Sequence, residues 1–295
     1  MAEFKLIDFL KQAKEKKMAI GHFNISNLEG FRAVGMAALS HKAPVIIGLS
    51  EGEMSHFEAE EVVALARIFQ KRYNHPIFLN ADHVHSIEKV IEATKAGFHS
   101  ITADSSQSSL EDNIAYTKKA SQEAKKINPE ILIEGEIGYI GGSSKELDEL
   151  PEDVSISEDS FTDPDEALRF VQESEIDLFA PAIGNIHGRL KNVPNPRLDI
   201  ERIKKIAEKT KVPLVLHGGS GITDEDFTEA IKAGIRIIHI NTEIRVIYRQ
   251  ELEKALNNNP SEIAPYKLQK EAMLAMAEQI VDRIELFSSG EKWEW

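Results

Sequence analysis

Cysteine is absent from the 295-residue chain, which excludes disulfides, thiolate metal ligands and a cysteine nucleophile. Any bound metal must therefore be held by His, Asp or Glu. Basic residues are few. Lys and Arg number 35 against 49 Asp and Glu, and the formal charge of −14 opposes binding to phosphate backbones or anionic membranes. No apolar run reaches the roughly 18 residues of a membrane span, and the opening MAEFKLIDFLKQAKEKK has no long apolar stretch. The expectation is a soluble, unprocessed, cytoplasmic protein with neither nucleic acid nor membrane as partner. A G-x-G-x-x-G turn is also missing. The turn after the first apolar run reads HFNISNLEG and makes no pyrophosphate cradle, which argues against an open dinucleotide-binding sheet.

What is present is a globular composition, 42% hydrophobic and 28% charged. Short apolar runs recur at residues 18–25, 44–50, 76–83, 100–106, 131–138, 177–184, 213–219 and 235–242. The stretches between them carry apolar residues at three- and four-residue spacing, as at Ile200, Ile203 and Ile206, and read as helices. Continuous apolar strands alternating with helices mean a parallel sheet buried on both faces. Eight βα units are the number that closes a (β/α)8 TIM barrel, expected here as one domain over 1–295. Residues 139–162 form a long acidic connection of the kind that serves as a lid. Residues 263–287 read as an additional C-terminal helix, and 288–295, SSGEKWEW, as a loose tail.

In a barrel the active site lies at the C-terminal ends of the strands, and almost every apolar run ends in a polar residue. These are Asn24, Ser50, Asp82 and His83, Asp104, Glu134 and Glu136, Asn185 and His187, His217, and His239, Asn241 and Thr242. His83, His187 and His217 end three different strands, which points to a divalent metal site with an open position. Zinc suits three imidazoles best. HGRLK at 187–191, HGGSG at 217–221 and INT at 240–242 put small residues where barrels bind phosphate, with Lys191 adding charge and Ser220 a hydroxyl.

With these motifs the chain resembles the class II, metal-dependent fructose-bisphosphate aldolases and their tagatose-bisphosphate relatives. The resemblance runs from Gly21 to Arg245, through Asp82-His83, EGEIGYIGG at 134–142, FTDPDEALRFV at 161–171, AIGNIHGRLK at 182–191 and PLVLHGGSG at 213–221. It implies zinc-dependent, reversible aldol cleavage of a ketose bisphosphate to dihydroxyacetone phosphate and an aldehyde such as glyceraldehyde 3-phosphate. By motif, His83, His187 and His217 would hold zinc, Glu136 would be an alternative or second-site ligand, and Asp104 would support the ligands. Asp82 would be the acid/base group on the C4 hydroxyl. The family's long loop carries a catalytic acid, a part that falls here to Glu146. Gly188, Lys191, Gly218, Ser220, Asn241 and Thr242 would surround the C1 phosphate, where the family recruits a monovalent cation, Na+ or K+. Asn24, Ser50 and His239 join the substrate-binding set. A homodimer or homotetramer is implied.

Three departures stand out. Val84-His85 follow the first histidine where the family has Gly and a polar turn. His239 stands where it has Asn, and Ala264-Pro265-Tyr266-Lys267 stand where it has Asp-Pro-Arg for the distal phosphate. They suggest an aldehyde other than glyceraldehyde 3-phosphate. Two alternatives remain: a metal-dependent hydrolase, from the H-x-H pair His83-Val84-His85 that resembles amidohydrolase barrels, and a non-catalytic sugar-phosphate binder.

Overall fold

A computed structural model describes residues 4–142, 144–150 and 157–295. Of the expected lid, residues 143 and 151–156 lie outside the described residues. The strands are β1 (Ile20–Asn24), β2 (Val45–Ser50), β3 (Ile77–Val84), β4 (Ser100–Ala103), β5 (Leu132–Ile137), β6 (Glu146–Leu147), β7 (Leu178–Pro181), β8 (Arg189–Leu190), β9 (Leu214–Leu216) and β10 (Ile235–Ile240). Eight of them close a parallel barrel in the order β1-β10-β9-β7-β5-β4-β3-β2, one strand from each expected run, with helices between. The chain is thus a (β/α)8 TIM barrel.

The helices form for local reasons. Ile200–Thr210 begins where Asp199 accepts from Arg202 N at 2.9 Å, buries Ile203, Ile206 and Thr210 on one side, and ends at Lys211 in the left-handed region. Asn27, Ser86, Ser109, Asp163 and Thr223 cap other helices in the same way.

Within the barrel, alternate strand residues point inward, and on several strands these are polar. Asn80 Nδ2 donates to Thr102 Oγ1 at 3.1 Å and to His22 Nε2 at 3.2 Å, while Ser100 Oγ donates to Asn80 Oδ1 at 2.9 Å. Apart from His22 Nδ1, which has no hydrogen-bond partner among the described residues, this buried layer is satisfied internally and forms the floor beneath the site. Gly48 makes it possible, since a Cβ there would lie 2.1 Å from the His22 ring.

Helix Leu6–Lys16 covers the N-terminal mouth and sets Phe9 against Phe78 with ring centroids 5.5 Å apart. The additional C-terminal helix is resolved into Pro265–Leu268 and Lys270–Ser288. The longer piece buries Met276, Ile280, Ile284 and Phe287 against the barrel's outer helices. The tail is not loose. Trp293 is buried beside Phe9, Trp295 packs edge-on to His75, and Glu294 N donates to Gln12 Oε1 at 3.1 Å. Two indoles give these few residues enough apolar area to dock despite their charged neighbours. Among the described residues no helix is long and apolar enough to cross a membrane.

Candidate active site

The C-terminal mouth holds a chamber of about 360 Å³. It is lined by Asn24, Ser50, Asp82, His83, Asp104, Glu136, His187, Gly188, Gly218, Ser220, His239, Asn241 and Thr242, so most residues singled out in the sequence meet here. Lys191 and Glu146 are outside it. The two-residue strands β6 and β8 pair with each other, which leaves Glu146 exposed and sets Lys191 Nζ 2.8 Å from Asp148.

Consecutive strand residues normally face opposite sides, yet Asp82 and His83 both enter the chamber. The cause is a bulge. The register of β3 against β4 shifts between Ala81 and Val84, and His83 adopts φ +53°. Gly218 solves a similar problem after β9, since at its φ of +64° an added Cβ would sit 2.1 Å from Ile186 O.

His83, His187 and His217 each offer a ligand nitrogen, all within 4.8 Å of one another. His83 Nδ1 donates to Asp104 Oδ2 at 2.8 Å, and Asp104 Oδ1 accepts from Ser106 N at 2.9 Å. His217 Nε2 lies 2.6 Å from Glu134 Oε1. Each carboxylate fixes one face of its imidazole and leaves His83 Nε2 and His217 Nδ1 for a further bond, the usual arrangement behind a metal-binding histidine. His217 Nδ1 and Glu136 Oε2 are buried without a partner. The donor set, with two carboxylate-backed imidazoles, a third histidine and an adjacent unsatisfied carboxylate, fits a divalent ion such as zinc.

The electrostatics follow from crowding. Burial pushes Glu136 up to about 7, with the neighbouring imidazoles working against it and the charges of Asp104 and Glu134 adding to it. Asp82 is pushed up by burial too, but the charges of His83, His22 and His217 and the hydrogen bond from Asn24 outweigh that and hold it down at about 2. Among the described residues no carboxylate backs His187, and burial lowers it to about 3.

Asp82 is also fixed mechanically. Asn24 Nδ2 donates to Asp82 Oδ2 at 2.8 Å and to Glu53 Oε2 at 3.0 Å, and that same Glu53 oxygen accepts from Ser50 N and Ser50 Oγ. Asp82 Oδ1 is left buried and unpaired. His239 stacks on His22 with centroids 3.5 Å apart and on His217 at 4.1 Å, with Nδ1 3.5 Å from Asp82 Oδ1.

Across the chamber, helix Thr242–Asn258 starts without a side-chain cap on Asn241, beside the glycine turn after β9. Ser220 Oγ accepts from Asn241 N at 3.3 Å and Glu243 N at 3.2 Å, which pins the turn to the helix start.

Sequence pattern alone assigns no role to His22, Glu53 or Arg245, and marks Glu134 only as a strand end. His22 and Glu134 had a legible signal, as each lies two positions before an inward polar residue, Asn24 and Glu136. Arg245 and Glu53 are far apart in sequence and meet only in the fold. His85 Nδ1 donates to Asp104 O at 3.0 Å, and among the described residues no candidate metal cluster includes it. The H-x-H pair therefore does not assemble the hydrolase arrangement.

The family profile described as Fructose-bisphosphate aldolase class-II matches residues 5–292. A probable fructose-bisphosphate aldolase of Bacillus subtilis (strain 168) is 34% identical over 288 residues, covering 97% of both chains. A fructose-bisphosphate aldolase of Helicobacter pylori (strain J99) is 31% identical, across 97% of this chain and 98% of its own. The crystal structure of the YdjI aldolase from Escherichia coli K12 is 32% identical and superposes with a TM-score of 0.80 over 97% of this chain and 98% of that one. With the profile running nearly end to end and relatives matched over almost their full length, the chain belongs to the class II fructose-bisphosphate aldolase family, whose members are carbon–carbon lyases.

Proposed function

We propose that the protein catalyses zinc-dependent, reversible aldol cleavage of a ketose phosphate, fructose 1,6-bisphosphate or a related sugar, to dihydroxyacetone phosphate and an aldehyde. The observation that carries this reading is the set of ligand nitrogens of His83, His187 and His217 within 4.8 Å of one another, beside the unpaired Asp82 Oδ1. His83, His187 and His217 would hold the metal, with Glu136 adjacent as an alternative or second-site ligand. Zinc held there supplies the Lewis acidity for the charge that develops on the dihydroxyacetone half, since no lysine is among the described residues lining the chamber.

The chain's own groups do the rest. Asp82, ionised at neutral pH and anchored through Oδ2, has Oδ1 available to take the C4 hydroxyl proton in cleavage and return it in condensation. Asn24 and Glu53 hold that carboxylate at one angle, so proton transfer needs no reorganisation. The start of helix Thr242–Asn258, pinned by Ser220 Oγ and lying beside Gly218 and Asn241, suits the C1 phosphate, because the helix dipole favours an anion. Asn241 Oδ1, buried without a partner, offers a ligand to a monovalent cation, Na+ or K+, beside that phosphate. The same reading makes this a cytoplasmic enzyme acting as a homodimer or homotetramer, and sedimentation showing only the 33.0 kDa monomer would remove the assembly.

The test is cleavage of fructose 1,6-bisphosphate by purified protein before and after a chelator, with zinc restored and tagatose 1,6-bisphosphate in parallel. Activity should vanish on chelation and return with zinc, and the ratio of the two sugars sets the C4 preference. Cleavage that survives complete removal of metal would overturn the mechanism.

A further inference from the structure

The chamber has two ends of different character. One is the phosphate-suited end at Gly218, Ser220, Asn241 and Thr242. The other, beyond the three histidines, lies under the ends of β2, β3 and β4. Ser50, His85, Ser106 and Gln107 line it, and Arg245 reaches it from one turn inside the last barrel helix. Among the described residues lining the chamber, Arg245 is the one lysine or arginine.

That guanidinium is already engaged. Arg245 Nη2 donates to Glu53 Oε1 in a short contact, and Glu53 is buried, with Oε2 accepting from Ser50 N at 2.8 Å, Ser50 Oγ at 2.9 Å and Asn24 Nδ2 at 3.0 Å. A phosphate that drew Arg245 away would strand a buried carboxylate with only neutral donors. Asp82, Asp104, Glu134 and Glu136 already surround the histidine cluster, and Glu53 already matches the single guanidinium. A second dianion has no unpaired positive partner among these residues.

The neutral groups are the ones hydroxyls use. His85 Nδ1 donates to Asp104 O, so Nε2 is an acceptor. Gln107 and Ser106 offer both donors and acceptors, and the half-exposed Arg245 keeps N–H groups beyond the one spent on Glu53.

We infer that this end of the chamber, between Ser50, His85, Gln107 and the Arg245–Glu53 pair, accepts an uncharged polyhydroxylated aldehyde, so the preferred substrate is a ketose 1-phosphate rather than a 1,6-bisphosphate. The inference rests on the aldolase reading above and narrows its substrate class.

The experiment uses the full-length, zinc-loaded protein in the assembly it forms. First, deuterium exchange at C3 of dihydroxyacetone phosphate is followed by NMR with no aldehyde present, which reads the aldolase chemistry alone. Condensation of dihydroxyacetone phosphate is then measured with glyceraldehyde 3-phosphate and with neutral hydroxyaldehydes of three to six carbons. In the cleavage direction, fructose 1-phosphate is compared with fructose 1,6-bisphosphate, and tagatose 1-phosphate with its bisphosphate. At least one neutral aldehyde should exceed glyceraldehyde 3-phosphate in kcat/KM by about tenfold or more, the scale set by placing like charges together. Exchange with glyceraldehyde 3-phosphate as the best acceptor overturns the inference and leaves the aldolase reading standing. Absence of exchange overturns both.

Glu53→Gln keeps an acceptor for Arg245 but removes the charge, so relative use of the bisphosphate should rise by roughly tenfold. An unchanged ratio counts against the inference. Should that variant not fold, Arg245→Met decides. A loss confined to phosphorylated aldehydes would make Arg245 a phosphate receptor and overturn the inference, whereas equal or greater loss with neutral aldehydes supports it.

Discussion

At the N-terminal mouth of the barrel, His75 Nε2 donates to Ala43 O at 2.9 Å and His99 Nδ1 accepts from Leu79 N at 3.0 Å, so both imidazoles are tied to backbone. At the C-terminal mouth, Asp82 Oδ1, Glu136 Oε2, His217 Nδ1, His239 Nε2 and Asn241 Oδ1 are buried with no hydrogen-bond partner among the described residues. Each unpaired atom costs on the order of 1–3 kcal/mol, which the two backbone-tied imidazoles avoid. The same strands thus begin at a mouth whose histidines are tied to backbone and end at a chamber whose polar atoms await partners from outside the chain. The division predicts that substitutions at one mouth cost activity and those at the other cost stability.

The strongest test is Asp82→Ala. Cleavage should fall by about 10²–10⁴-fold, the range for a lost acid/base group, with zinc retained and the thermal midpoint nearly unchanged. A non-catalytic binder would lose little, and full cleavage by the variant would refute the acid/base assignment. The matching test below is Trp293→Ala. It removes a buried indole packed on Phe9 and should cost about 3–5 kcal/mol in denaturant unfolding, while kcat at 25 °C stays as it was. If that variant loses activity before it loses stability, the two mouths are coupled and the division fails.

A finer probe is Glu134→Gln. This carboxylate lies 2.6 Å from His217 Nε2, and changing such a partner typically costs 10–100-fold in metal affinity. Competition with a zinc indicator should show that loss, with recovery of cleavage at saturating zinc. Unchanged affinity would mean that the Glu134–His217 contact is a packing feature of the barrel interior.

The fold was readable because parallel strands buried on both faces write themselves as uninterrupted apolar runs, and eight such runs close only one common architecture. Strand-end histidines were readable for the same reason, as each closes a run. Other parts were hidden by geometry that single-residue patterns do not encode. The bulge that turns both Asp82 and His83 inward depends on a left-handed φ at His83, and nothing in the residue type demands it. Glu146 and Lys191 sit in motifs, yet the β6–β8 pairing directs them away from the chamber. Glu53 and Arg245 have neither motif nor spacing, because what joins them is the adjacency of the first, second and last strands around a closed ring. The tail misled because its charge outweighed its two indoles in composition, although the indoles govern its packing.

The smallest expected effect concerns pH and the N-terminal mouth. Burial, followed by the nearby charge of Arg67, lowers His99 from its ordinary 6.5 to about 4. Between those values the unfolded chain binds a proton that the folded chain does not, so His99 contributes stability that is complete above 6.5 and lost as pH falls towards 4. Between pH 7.5 and 6 this amounts to less than about 1 kcal/mol. His99→Gln keeps an oxygen to accept from Leu79 N without a titrating ring, so its unfolding free energy should depend less steeply on pH than that of the parent over this interval. Chemical denaturation of both proteins at several pH values, with metal removed so that ligand histidines contribute equally, reads the difference. Parallel profiles would place the acid sensitivity of the molecule wholly at the catalytic mouth, where five unsatisfied atoms already mark the part of the barrel that folding alone does not complete.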